Sequence, residues 1–376
     1  MIRRLLTFLI FVLFIPCLGY GQEHAPQGAW QYGGFLDLSY PLNFNFPENH
    51  RWRSKETTPR TNELTPNMAF VYLEKDPTRE SRWGLELALQ AGYDTDGLVP
   101  PRDAMEGADT LRHLGRASVS YLAPVGNGLL MTAGLFRGFR TYESFYAKYN
   151  FNYTRTYLTD INPNFMIGAG ATYPLTPSFE IGGYLVNEYA YLAHSNNLPS
   201  YVATAEWRAA KRLTLYSSLY YGPDQHMTAM KFWRVFSDST VEWRGRQWTL
   251  ALSYDIGSER IADQPDTPRT FWMASALFTQ WRITGPWSLA IRPELFWDRH
   301  GRMTEFEQFI WANTTTLEYK RHLGPQLAIF RIEHRYDHST GDEGGFFNHG
   351  PMSSGQPTLT TGQHLLLLSV VWALDR

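Results

Sequence analysis

The chain has 376 residues, of which 43% are hydrophobic, 15% aromatic and 19% charged, and its formal net charge is −2. That near-neutral balance carries no basic footprint for nucleic acid, and 13 Trp, 22 Tyr and 23 Phe spread along the chain exclude intrinsic disorder. A helical membrane bundle is excluded as well, because it needs repeated spans of ~20 apolar residues and only one apolar run of any length is present.

That run opens the chain. Arg3 and Arg4 precede an apolar stretch from Leu5 to Leu18, and small residues, Gly19 and Gly21, stand just before Gln22. A basic start, an apolar centre and a small-residue cleavage site predict an export leader over 1–21. The run is too short for a membrane span. Residues 22–376 are then the mature domain. Cys17 is the one cysteine and lies in the leader, so the mature chain has no disulfide, thiolate metal site or thiol nucleophile.

After Gln22 the pattern has period two almost from end to end. From Trp83 to Tyr93, one face carries Trp83, Leu85, Leu87, Leu89 and Tyr93; the other carries Gly84, Glu86, Ala88, Gln90 and Gly92. Side chains alternate across a strand, so this segment has one apolar face and one small or polar face. About sixteen such segments recur, near 29–40, 67–75, 82–93, 114–123, 129–136, 166–173, 179–189, 200–208, 212–222, 231–243, 247–257, 271–282, 287–298, 308–319, 326–338 and 362–374. Every second connection is a tight turn, such as Thr284-Gly285-Pro286 or the turn at Gly324-Pro325; the others are longer and polar. Short periplasmic turns on one side and long extracellular loops on the other are the asymmetry of an outer-membrane barrel.

Aromatic placement points the same way. Tyr72, Trp83, Tyr121, Tyr173, Phe179, Trp207, Trp243, Trp248, Trp287, Tyr319 and Trp372 stand beside the short turns. Tyr40, Tyr93, Tyr221, Tyr254, Trp272 and Trp297 stand at the opposite ends, with Leu, Ala, Val and Ile between. Tyr and Trp join an apolar body to a polar tip, so they settle at the headgroup level and form two girdles. The fold expected is therefore all-β: one transmembrane antiparallel up-and-down β-barrel of about sixteen strands. Two segments fit poorly, since the strand from His364 to Trp372 is apolar on both faces for half its length and Phe271 to Trp281 is mixed. Either the lumen is locally apolar there or those faces touch another surface.

With the apolar faces turned to lipid, Arg116, Arg208, Arg234, Arg292, Arg331 and Arg335 point into the lumen. Asp37, Glu86, Glu180, Glu206, Asp238, Glu242, Asp255, Glu294, Asp298, Glu318, Glu333 and Asp337 join them. Facing lipid, an Arg or Lys at the midplane costs ~2–4 kcal/mol; facing water, such charges line a pore and set its selectivity. They can equally neutralise one another in structural pairs. Carboxylates outnumber arginines in this set, which predicts a mildly cation-preferring lumen. About sixteen strands enclose an aqueous channel instead of a packed interior.

At this point the chain resembles a known family, the OmpL-like beta-barrel porins of outer membranes. The resemblance rests on Tyr121 to Gly128 with the strand ending at Phe136, on Tyr142-Glu143-Ser144, and on Asn152 to Arg155. It continues through Tyr173 to Thr176, Val186-Asn187, Tyr220 to Pro223, Arg292 to Asp298 and Arg331 to Ser339. It implies a porin-type channel in outer-membrane lipid, passing small hydrophilic solutes or ions without a cofactor, and leaves a homo-oligomer open. Glu143 and Arg155 fall at matched motifs. They lie in the third long connection, 137–165, together with Arg137, Arg140, Tyr142, Tyr146, Lys148, Tyr149 and Tyr153. A long connection so rich in aromatics needs packing of its own, so it is expected to fold into the lumen and form a constriction.

The rival classes are a barrel enzyme and a structural or adhesive barrel without an open pore. A lipase or deacylase would set a His and a Ser on one outward face with a third residue orienting the His. The candidates, His194-Ser195-Asn196 and His338-Ser339, are adjacent, so their side chains point to opposite faces of a strand. No metal-ligand cluster or Gly-rich phosphate loop is apparent in the sequence. The chain is also too short for a 22-stranded transporter with its plug.

Overall fold

The structure, a computed structural model, describes residues 28–98, 108–138, 141–189, 196–225, 228–341, 344–350 and 357–376. The leader, Arg140, His194 and Ser195 lie outside them. In chain order the strands are β1 (Gln31–Asn43), β2 (Thr65–Lys75), β3 (Trp83–Ala91), β4 (Leu114–Ala123), β5 (Leu129–Arg137), β6 (Phe165–Thr176), β7 (Phe179–Val186), β8 (Ser200–Ala210) and β9 (Leu213–Gly222). Then follow β10 (Arg234–Arg244), β11 (Trp248–Glu259), β12 (Thr270–Thr284), β13 (Trp287–Asp298), β14 (Gln308–Leu323) and β15 (Gln326–Ser339). Two short strands, β16 (Phe346–Phe347) and β17 (Leu359–Thr360), pair within the last long loop, and β18 (Gly362–Asp375) ends the wall.

Sixteen of these strands form one closed barrel, each hydrogen-bonded to its sequence neighbours, and β1 closes the ring by pairing antiparallel with β18 from Gly33↔Asp375 to Asn43↔Leu365. Closure leaves no edge strand, so the ladders satisfy the wall's backbone groups from strand to strand, as a membrane-spanning sheet requires. Glycines take the left-handed conformation in the tight turns, Gly285 at φ 56° and Gly324 at φ 63°. All sixteen expected segments are strands, with ends shifted by a few residues.

The wall faces follow the alternation. Leu87, Leu89, Leu250, Leu252 and Ile291 are exposed on the outside, while Asp37, Asp255, Arg292, Glu333 and Asp337 are buried inside. Outer aromatics stack in pairs near the short turns: Trp248 on Trp281 with centroids 5.4 Å apart, and Trp287 edge-on to Tyr319 at 4.8 Å.

Two aromatics expected in the girdles point inward instead. Trp272 is fully buried and lies across Gly257, its partner in register on β11, where an added Cβ would sit 2.1 Å from the indole. Tyr72 likewise stands opposite Gly33 of β1 and donates its hydroxyl to Asp375 Oδ1 at 3.0 Å. In both cases a missing Cβ on the neighbouring strand opens a slot for a ring on the inner face. The apolar core of the molecule is inside the barrel, around Phe35, Phe70, Tyr146, Tyr157, Trp272 and Phe296.

Candidate functional site

The connection between β5 and β6 turns into the lumen. Its neck closes where Gly138 N–H donates to Asn164 O at 2.9 Å; a Cβ at Gly138 would lie 1.8 Å from Pro163 O, so only glycine fits. Within the segment, a short helix over Tyr157–Ile161 is capped by Thr156, whose hydroxyl accepts from Thr159 N. Glu143 Oε2 accepts from both Thr156 N and Thr156 Oγ1 at 2.8 Å, and from Thr159 Oγ1 at 2.9 Å. The segment is thus folded on itself before it meets the wall.

Charges clamp it to one side of the barrel. Arg292 on β13 donates to Glu143 Oε1 and to Thr154 O, and Glu294 accepts from Tyr157 N at 2.9 Å. On β15, Arg331 donates to Ala147 O at 2.9 Å and Asn150 O at 2.7 Å while paired with Glu318. Glu333 accepts from Tyr153 N, Thr154 N and Thr154 Oγ1, and from Thr316 Oγ1 of β14. Arg335 pairs with Glu294 and Asp337 and donates to Arg155 O. Tyr153 donates its hydroxyl to Asp37 on β1 and accepts from Asn67 on β2, each at 2.6 Å. Buried arginines of this kind are stable only when every charge finds a partner.

Apolar contacts cover the same wall. Leu367 of β18 packs with Ala147 and Tyr153, and Val371 and Ala373 join Phe35, Phe145 and Tyr146. Ala276 and Phe278 of β12 pack against Tyr142 and Phe151. The two strands apolar on both faces are therefore among the landing sites of the inward segment.

Other connections reach in to hold it. Arg155 Nη2 meets Asp94 Oδ2 at 2.7 Å, and Asp94 also accepts from Thr58 N. Lys55 donates to Arg155 O at 2.8 Å and pairs with Asp160. Burial pushes the Asp94 carboxyl above its usual range, with the Arg155 guanidinium pulling it back; burial lowers Lys55, with Asp160 opposing. A second knot joins Arg234 to Asp224 at 2.6 Å and Glu259 at 2.8 Å, with Arg302 reaching both acids. Above these, Arg51, Trp52, Lys55, Asp160, Phe306 and Phe347 line a cavity of about 860 Å³ at the long-loop end.

The opposite wall differs. Toward the short turns the inner faces of β6–β9 carry Gly170, Thr172, Glu180, Gly182, Thr204, Thr214 and Tyr216, all partly exposed, whereas Val186, Val202 and Tyr220 nearer the long loops are buried with Tyr157, Leu158 and Ile161. Small and hydroxylated side chains at these positions leave room between the wall and the inward segment.

A closed antiparallel barrel of sixteen strands, with a third long connection folded inside, is the architecture to which known proteins can be compared. The model of the family described as "Putative beta-barrel porin-2, OmpL-like" matches residues 30–372. The chain belongs to that family. Among solved structures it is similar to the outer membrane channel DcaP of Acinetobacter baumannii, at 7% identity and a TM-score of 0.55, covering 96% of this chain and 100% of that one. It is also similar to in-vitro folded OmpT of Vibrio cholerae in a trimer form, at 8% identity and a TM-score of 0.53, covering 93% and 100%. At these identities the likeness shows the fold. A comparison with curated proteins finds no match.

Within this porin fold, the residues expected at the pore fall in several places. Glu143, Tyr153, Arg155, Arg292, Glu294, Arg331, Glu333 and Arg335 come together in the clamp, all buried. Arg116, paired with Glu74 and Glu86, and Arg208, paired with Glu206, stand lower on the lumen wall. Arg234 belongs to the second knot. Asp238 sits beside Asp255. Arg137 is exposed, its guanidinium 5.8 Å from the Tyr149 ring centre, and Arg140 lies outside the described residues. Sequence reasoning missed Lys55, Asp94, Asp160, Asp224 and Arg302, which sit in loops where no periodicity marks a side chain's direction. Of the two His–Ser candidates, Ser339 faces inward and donates to Gln308 Oε1 at 2.9 Å, while His338 lies beside Trp311. Adjacent residues of β15, they point to opposite faces.

Proposed function

We propose that the protein is a diffusion porin whose passage runs along β6–β9, with the inward segment as its constriction. The observation that supports this is the asymmetry of the lumen: one wall is buried beneath the segment, and the other keeps partly exposed threonines, glycines and Glu180. Small hydrophilic solutes or ions fit such a lining, which offers hydroxyls and the Glu180 carboxylate, unpaired among the described residues. Glu143 and Arg155 act here as the residues that hold the constriction closed to larger solutes. The leader over 1–21 would deliver the chain for export before insertion into outer-membrane lipid.

Reconstitution of the folded protein in planar bilayers tests this: discrete conductance steps are expected, and a folded barrel without any would overturn it. That second outcome would favour a structural barrel, the reading to which the dense packing around Arg155 and Arg292 lends weight. A homo-oligomer belongs to the same proposal. On the outside, Ala133, Ala169, Ala171 and Gly183 floor a groove of about 780 Å³ rimmed by Val119, Met131 and Leu185, room for a neighbouring copy. Light scattering of the detergent-solubilised protein distinguishes monomer from oligomer.

A further inference from the structure

One inward-facing row of side chains is unlike the clamps. Ser218 on β9 is in register with Asp238 on β10, and Asp238 with Asp255 on β11, so the three project side by side with Cβ atoms ~5 Å apart. All three are buried. The clamp acids Glu143, Glu294, Glu318, Glu333 and Asp337 meet arginines or N–H donors; this pair meets only the amide of Asn162, whose Nδ2 donates to Asp255 Oδ2 at 2.8 Å. Both oxygens of Asp238 and Oδ1 of Asp255 have no hydrogen-bond partner. Two carboxylates at this spacing, away from bulk water, repel strongly unless something positive stands between them.

A shared proton would answer the repulsion, but it leaves a second observation unexplained. Ser218 Oγ and Asn162 Oδ1, buried in the same place, also lack partners. Five oxygens on four neighbouring residues therefore lack the partner that buried polar groups otherwise require. A hard cation uses all of them. Calcium takes six to eight oxygens in adaptable geometry, with water completing the shell, whereas magnesium demands near-ideal octahedral geometry and keeps its water.

We propose that Ser218, Asp238, Asp255 and Asn162 form a binding site for a divalent cation of calcium's class. The cation joins three adjacent strands to Asn162, the residue that ends the short helix of the inward segment. It is a structural tie, independent of whether the channel conducts. A half-turn of the Asn162 amide presents Oδ1 to the cation.

The test uses the full chain folded in detergent without lipopolysaccharide, stripped with chelator and titrated with calcium chloride by calorimetry and thermal melting. One calcium per chain and a rise in Tm are expected. Asp238→Asn and Asp255→Asn should each weaken binding at least ~tenfold, the scale on which even outer-shell substitutions act at metal sites. Each also removes a like-charge neighbour, so the stripped variants should melt at or above the stripped wild type, and lost binding will not be lost folding. Ser218→Ala should weaken binding by a smaller factor. The proposal is overturned if calcium does not bind, if binding survives Asp238→Asn, if magnesium acts equally well, or if acidification alone reproduces the calcium-induced rise in Tm.

Discussion

The two sides of the lumen are built from the same strand geometry but are occupied differently. On β13, β14, β15 and β18 the inner face is buried except beside the short turns and mixes full charges, such as Arg292, Glu294, Arg331 and Glu333, with bare aliphatics, such as Leu365, Leu367 and Val371. On the short-turn half of β6–β9 the inner face carries glycines, threonines, Glu180 and Tyr216 and stays partly exposed, while Val186, Val202, Ser218 and Tyr220 nearer the long loops are buried. Charge and grease together on one face look contradictory until the inward segment is set against them. Its carbonyls, N–H groups and Glu143 take the charges, and its Tyr and Phe rings take the aliphatics. A barrel wall that has to hold something must offer both kinds of contact; a wall that only bounds water needs neither.

The largest effect should come from removing what is held. Deleting residues 141–152 takes away Glu143, Phe145, Tyr146 and Lys148 but leaves the interstrand ladder intact, so the barrel should still insert. Single-channel conductance should rise severalfold and larger sugars should pass. Unchanged conductance would place the segment outside the conduction path. Next in size is Arg292→Ala, which takes the arginine donor from Glu143 Oε1 and Thr154 O and leaves Arg335 as the arginine paired with Glu294. Removing one partner of a buried pair costs ~3–5 kcal/mol, a cost that local release of the segment avoids. The expected readout is a noisy, intermittently larger conductance, together with faster protease cleavage within 141–164. A steady wild-type trace would mean that the remaining contacts suffice.

How much of this was legible beforehand differs between the two sides. The wall itself was legible, because period-two alternation fixes both the strands and their faces, and all sixteen segments were found. The misassigned rings, Trp272 and Tyr72, fail for one reason: each lies over a glycine of the neighbouring strand, and sequence alone gives no register. The inward segment was legible in outline from its aromatics, and the strands at 271–281 and 364–372 signalled that something covers them. Its partners were not. The Glu143–Arg292 pair spans 149 residues, and Lys55, Asp94 and Asp160 are loop residues with no pattern to mark them.

A third prediction sharpens the comparison by filling the open side. Thr214 lies on the partly exposed inner face of β9, and Thr214→Trp should lower conductance to a fraction of wild type while leaving Tm nearly unchanged, since the indole enters water-filled space. The matching change on the held side, Thr316→Trp, should behave in the opposite way. Thr316 is fully buried and binds both Glu333 and Asn152, so overpacking and loss of those bonds should cost stability, typically ~1–3 kcal/mol for the packing part alone. Equal effects of the two substitutions on conductance would erase the distinction between the walls.

The smallest effect concerns selectivity, and it isolates a single charge. Most charges near the open side cancel locally: Arg208 pairs with Glu206, Arg244 with Glu242, and Arg116 with both Glu74 and Glu86. Glu180 faces the lumen on β7 opposite Glu206, with no partner among the described residues. Together with the surplus carboxylate at Arg116, it leaves this wall weakly negative. A passage bounded by that wall should prefer potassium to chloride by a modest factor, and the preference should fade as salt shortens the screening length from ~10 Å at 0.1 M to ~3 Å at 1 M. Glu180→Gln keeps the shape and removes the charge, so it should shift the reversal potential in a potassium chloride gradient toward zero without changing the size limit. Asp337→Asn, a neutralisation on the held side, should leave the reversal potential where it is, because its carboxylate is buried between Arg335 and Gln363. If Asp337→Asn shifts selectivity as much as Glu180→Gln does, ions pass along the clamp as well, and the open side is not the only path.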